Sequence, residues 1–179
     1  MTTRTDHNIG TPARKAARRM GMAALPVLAL LALAGCAESG NFRPGCPNVG
    51  IVRDAGTLRT DGATALMSSL PAMCQYEDSG VNVTAVLTIQ ATADEGSSVT
   101  SVPVEYFVAV TDPERNVLAK QVFATTIPLN GGKGSVQESL VQFIPAPVTV
   151  DARWYEVLVG FQLSQDQVEM NRRSNEARR

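Results

Sequence analysis

The chain has 179 residues, 44% of them hydrophobic and 18% charged, with a net charge of −1, which leaves room for a leader and one domain. The charge is unevenly divided. Residues 1–35 hold Arg4, Arg14, Lys15, Arg18 and Arg19 against Asp6 alone, so this stretch carries about +4 and the remainder about −5. A mildly acidic body gains little from phosphate backbones, whose binding depends on Lys and Arg releasing counterions, and nucleic acid is excluded as an expected partner.

The first 35 residues read as an export leader. A cationic stretch from Thr11 to Arg19 is followed by the apolar run Ala23–Ala34. That run is roughly 12 residues, the length of a signal core and short of the ~20 that span a bilayer. Leu33-Ala34-Gly35-Cys36 closes it. Small residues before the cysteine let the backbone enter a peptidase cleft, and the thiol is free to take a diacylglyceryl group. These residues resemble the lipobox of bacterial lipoproteins at every position. The resemblance implies cleavage between Gly35 and Cys36, with acyl chains on Cys36 that anchor the protein to a membrane; two or more chains suffice for stable anchoring. Arg18-Arg19 lacks the usual continuation of a twin-arginine signal, so the general secretory route is expected. Ala37 stands where Asp marks inner-membrane retention in enteric bacteria. The expected location is therefore the outer membrane, facing the periplasm, with the inner membrane second.

Removing the leader changes what chemistry is available. His7, the only histidine, goes with it, which excludes Ser-His-Asp and Cys-His catalysis and the usual zinc sites. Cys46 and Cys74 remain as an even pair in an oxidising compartment, and a disulfide is expected. No metal ion or cofactor is expected.

Residues 36–48 read as a lipidated tether punctuated by Gly and Pro. The body, 49–164, is expected to be a single antiparallel β-sandwich, Ig-like or fibronectin-like, with a small barrel as the alternative. Val49–Val52 suggests an edge strand. From Thr60 to Met73 the spacing of Ala63, Ala65, Leu66, Met67 and Leu70 is partly helical, and a short helix or ordered loop ending at Pro71 fits it. Val81 to Ala91 then alternates with polar residues as a half-buried strand does, and Val102 to Val110 gives a second. Asp112-Pro113-Glu114-Arg115-Asn116 reads as a turn, with Val117–Thr125 returning as its hairpin partner. Asn130–Gly134 is a loop before a strand over 135–143, and Pro145 and Pro147 break the chain. The last strand is expected from Trp154 to Leu163, with Tyr155, Val157, Val159, Phe161 and Leu163 on one face. Residues 165–179 read as a polar tail with one helical turn, whose Arg172, Arg173, Arg178 and Arg179 suit solvent or an anionic surface.

Beyond the leader, Cys46–Val52, Tyr106–Val110 and Val157–Leu163 resemble a group of uncharacterised alphaproteobacterial lipoproteins, a likeness that implies nothing about mechanism. Gly131-Gly132-Lys133-Gly134-Ser135 misses the first glycine and the Mg²⁺-binding hydroxyl of a phosphate loop and reads as a hairpin. Asn82-Val83-Thr84 is a formal sequon inside a strand. The acidic pairs Glu77-Asp78 and Asp94-Glu95 suit solvated loops better than glycoside hydrolysis or calcium. Trp154 is the candidate partner contact, since Trp is enriched at interface hot spots, although packing under the Pro145–Pro147 loop is the commoner fate. The expected function is a membrane-anchored, non-catalytic accessory or interaction subunit of a cell-envelope assembly. The alternatives are a carrier or sensor of a small apolar or glycan ligand, and a histidine-free hydrolase using Ser with Lys120 or Lys133.

Overall fold

The computed structural model describes residues 45–146 and 150–178; the leader, Gly35 and Cys36 lie outside them. The described residues form two sheets and one helix. Strand β5 (Gly80–Ala93) organises the first sheet. Its alternation is read directly by burial, with Val81, Val83, Ala85, Leu87, Ile89 and Ala91 all removed from solvent. Along one edge it pairs first with β4 (Ala72–Glu77) and then with β3 (Ala63–Ser69). Along the other it pairs almost end to end with β8 (Lys133–Ile144), from Val81 opposite Ile144 to Thr92 opposite Lys133. Strand β2 (Thr57–Thr60) flanks β3, and all pairings in this sheet are antiparallel.

The expectation of a helix or loop over 60–73 is corrected by β3. Ala63, Ala65 and Met67 are buried at every second position, which is a strand period. The helical spacing had counted Leu66, which faces the opposite way and is exposed.

The second sheet runs in the order β1 (Asn48–Ile51), β9 (Glu156–Phe161), β6 (Ser101–Thr111), β7 (Val117–Pro128). All its pairings are antiparallel except β1 with β9, which run side by side in the same direction. The turn between β6 and β7 forms as the sequence predicts. The Asp112 carboxylate accepts the Asn116 backbone N–H at 2.7 Å, and Arg115 sits at φ 65°. The last strand starts at Glu156; Trp154 instead ends a single 3₁₀ turn, Ala152–Trp154, capped by Asp151. Leu87 and Ile89 from the first sheet and Val108, Val159 and Phe161 from the second belong to one hydrophobic cluster. Both sheets thus contribute to one buried apolar cluster, and such burial is the dominant favourable term in folding.

The strand directions define two ends. Gly45, the β4–β5 turn, residues 112–116 and the chain after Ile144 lie at one; residues 60–63, 93–101 and 128–133 lie at the other. The first end is tied firmly. Cys46 and Cys74 are disulfide-bonded with Cα atoms 5.7 Å apart. The Tyr76 hydroxyl donates to the Gly45 carbonyl at 2.8 Å and accepts the Ala152 N–H at 3.0 Å. Asp151 accepts the N–H groups of Gly45 and Arg153, each at 3.1 Å.

Helix α1 (Gln165–Glu176) replaces the expected tail. Ser164 and Gln167 form a reciprocal capping box, which satisfies two N-terminal donors at once. Val168 and Met170 are exposed, so the helix is held by polar contacts instead of an apolar stripe. Buried Asn171 donates to the carbonyls of Asp54 at 3.0 Å and Thr57 at 2.7 Å and accepts from the Arg59 guanidinium. Asn175 donates to the Arg53 carbonyl and the Asp54 carboxylate, and that hydrogen bond holds Asp54 below the usual carboxylate range. Arg172 and Arg173 both pair with Glu169 on the same helix.

Candidate functional site

Strand β7 departs most from what a two-sheet core predicts. It pairs with β6 along one edge, and among the described residues no strand pairs with its other edge. The register sets Val104 opposite Thr125, Tyr106 opposite Phe123, Val108 opposite Gln121 and Val110 opposite Ala119. The β6 member of each pair is buried, whereas of the four on β7 only Thr125 is even half-buried. The core-facing side of the sheet therefore comes into solvent one strand further out. The opposite side of β7 is open as well, with Leu118 and Val122 about half exposed. Lys120 lies over the Phe107 ring there, its Nζ 4.7 Å from the centroid, close enough for a cation–π attraction.

A long, flat edge with exposed apolar side chains is a template for another strand, because its outward N–H and C=O groups have no partner. Native proteins usually blunt such edges with prolines, bulges or rows of charge. Here Pro128 sits only at the end of β7, one irregularity lies near Val117, and Lys120 is the single charge along the strand. Strand β8 is the corresponding edge of the other sheet, and the turn Leu129–Gly132 joins the two, with Asn130 bridged to Lys133. The glycine cluster thus forms a tight turn, but the hairpin expected of it is corrected: β7 and β8 belong to different sheets and share only this one bridge.

Three side chains cluster beside these edges. Phe123 stacks on Tyr106 with ring centroids 5.4 Å apart and 23° between planes. Glu138, opposite Leu87 on the core-facing side of β8, interacts with the Tyr106 hydroxyl. Burial first, and then the charge and hydrogen bond of Glu138, push the Tyr106 phenol up from 10.0 to about 12. The phenol stays protonated at neutral pH. Because the folded state holds this proton more tightly than the unfolded one, the linked stability is complete below pH 10 and is lost as pH rises toward 12. Denaturant titrations across that window are expected to show a steeper alkaline loss for the wild type than for Tyr106→Phe. Parallel slopes would refute the linkage.

The other sequence candidates lie elsewhere. Trp154 is 64% exposed beside the end where Gly45 is tied, clear of the Pro145 packing that composition suggested. Asn82 lies within β5, hydrogen-bonded to Glu77. Lys120 and Lys133 are both on the surface. Among the described residues no group of metal-capable side chains comes together. Depressions of about 270 and 420 Å³ are lined by Pro103–Glu105 with Ala124–Thr126, and by Gln90–Thr92 with Lys133–Ser135; each lies across two paired strands of a single sheet.

Reading the sequence as a regular hairpin missed the openness of β7. One signal was available: Val117-Leu118-Ala119-Lys120-Gln121-Val122-Phe123 does not alternate, unlike the strands on either side of it in the chain. Compared with protein-family models, characterised proteins and solved structures, the chain matches none.

Proposed function

We propose that this chain is a lipid-anchored lipoprotein facing the periplasm from the outer membrane, whose body is an Ig-like or fibronectin-like β-sandwich that works by binding. On this reading it is a non-catalytic accessory subunit of a cell-envelope assembly, and it receives an extended segment of a partner protein on the free edge of β7. The anchor rests on Leu33-Ala34-Gly35-Cys36 and the leader before it. The binding mode rests on one observation: a 12-residue edge strand exposed on both faces and nearly free of the features that block pairing. Strand addition draws affinity from main-chain hydrogen bonds and specificity from alternate side chains. Here Phe123 and Gln121 would meet the incoming strand on one face, and Leu118 and Val122 on the other.

The test is site-specific photocrosslinking in intact cells from position 121, followed by purification and identification of the adduct. One envelope protein is expected, recovered from the lipidated form and lost with Cys36→Ala. Val122→Asp is expected to weaken recovery at least tenfold, while an exposed site of this kind changes stability by only about 0.5 kcal/mol. A protein that stays monomeric and uncrosslinked in its membrane would overturn the reading.

A further inference from the structure

We infer that the end of the body bearing Gly45 docks on the surface of the bilayer that holds Cys36, with Trp154, Phe143 and Val141 at the depth of the lipid headgroups. The inference rests on the lipid-anchor reading, and it adds an orientation that reading does not contain. Nine residue steps separate Cys36 from Gly45, a reach of at most about 30 Å. Whatever path those residues take, the Gly45 end is confined near the membrane, and such confinement raises the effective concentration of even a weak contact.

The two ends of the body differ in what they expose. At the Gly45 end, Trp154 is exposed after the 3₁₀ turn. Phe143 lies on the outward face at the end of β8, its ring filling the space over Gly80 that a Cβ would otherwise occupy. Val141 follows two residues inward on the same face, and Met73 lies in the same row across Thr84; both are more than 60% exposed. None of the large exposed hydrophobic side chains of the described residues lies in the opposite loops, 60–63, 93–101 and 128–133. Tryptophan is enriched at membrane interfaces because its ring is apolar while its N–H can stay hydrated. The charges at the Gly45 end do not suit an anionic surface: Glu77, Asp78, Asp112, Glu114 and Glu156 outnumber Arg115, and Arg153 is paired with Asp151. The contact is therefore apolar, insensitive to salt and independent of acidic lipid.

Trp154 is the only tryptophan in the chain, so its fluorescence reports this end alone. The full chain is purified from membranes with its anchor and reconstituted into phosphatidylcholine vesicles containing acyl-brominated phosphatidylcholine. Emission is expected to shift to shorter wavelength and to be partly quenched by bromine, as for a ring at the membrane interface. Raising salt to about 0.5 M is expected to change neither, because apolar contacts are not screened. Val141→Glu combined with Phe143→Ser is expected to return the emission to that of a water-exposed ring. Unquenched emission with acylated Cys36 in the N-terminal peptide would overturn the docking and leave the anchor standing. Unmodified Cys36 would overturn the anchor, and the docking with it. Quenching that persists in the double variant would overturn the assignment of this face.

Discussion

Replacing Cys74 with alanine is expected to cost about 3–4 kcal/mol of stability and to lower the midpoint of thermal unfolding by roughly 10–20 °C. The bond joins residues 28 apart in sequence, so in the unfolded chain it closes a sizeable loop and removes many conformations that folding would otherwise have to discard. Its place in the fold adds to this. Cys74 is half-buried on β4 with its neighbours in the core cluster, and Cys46 lies just ahead of β1 in the other sheet. Without the bond, Tyr76, Asp151 and the hydrogen bonds of Asn48 hold the segment that follows Gly45. Urea unfolding of oxidised wild type, reduced wild type and Cys74→Ala gives the answer. The two forms lacking the bond are expected to coincide, below the oxidised protein. Three coincident curves would show that the hydrogen bonds suffice.

Asn171→Leu is the second large effect, about 2–4 kcal/mol. Leucine has a similar volume but cannot donate, so the carbonyls of Asp54 and Thr57 lose their partners and the Arg59 guanidinium loses its acceptor. Unpaired buried polar groups cost about 1–3 kcal/mol each. With no apolar stripe to hold α1, the helix is expected to detach before the sheets unfold. Hydrogen exchange reads this directly: amides of 168–176 should exchange much faster in the variant, and those of β5 and β6 should barely change. Equal protection of helix and sheets would show that the capping box and Asn175 hold α1 without Asn171.

These two sites also mark what the sequence made legible. The disulfide followed from counting cysteines. Strands β5 and β6 followed from alternation, because β5 and the first half of β6 are covered on one face only and burial then reads every second residue; from Val108 to Thr111 both faces of β6 are buried. Residues 60–73 misled for the converse reason. Alanine carries little information about period, and once Ala63 and Ala65 are discounted the spacing of Leu66, Met67 and Leu70 suits a helix as well as a strand. The helix at the C-terminus was readable from Ser164 and Gln167, a capping pair, but nothing local announces that Asn171 will find carbonyls from residues 54 and 57. The candidate site was the least legible part. That β7 has no second neighbour among the described residues is a property of sheet order, and sheet order depends on pairings far apart in the chain. Composition shows a strand of mixed character at 117–125; only the topology shows that its outer edge is free.

The parallel pairing of β1 with β9 has a consequence for the order of events during synthesis. Strand β1 is made first and its partner last. As the chain emerges, Cys46 and Cys74 and the strands from β2 to β5 are all present while β1 still has nothing to pair with, and β5 waits for β8 along its second edge. Contacts between distant residues form slowly because the intervening chain must first be closed into a loop. A chain that has not yet joined these pairings has several naked strand edges, a form prone to associate with its own kind. Its yield should depend less on final stability than on how quickly residues 133–161 become free to pair.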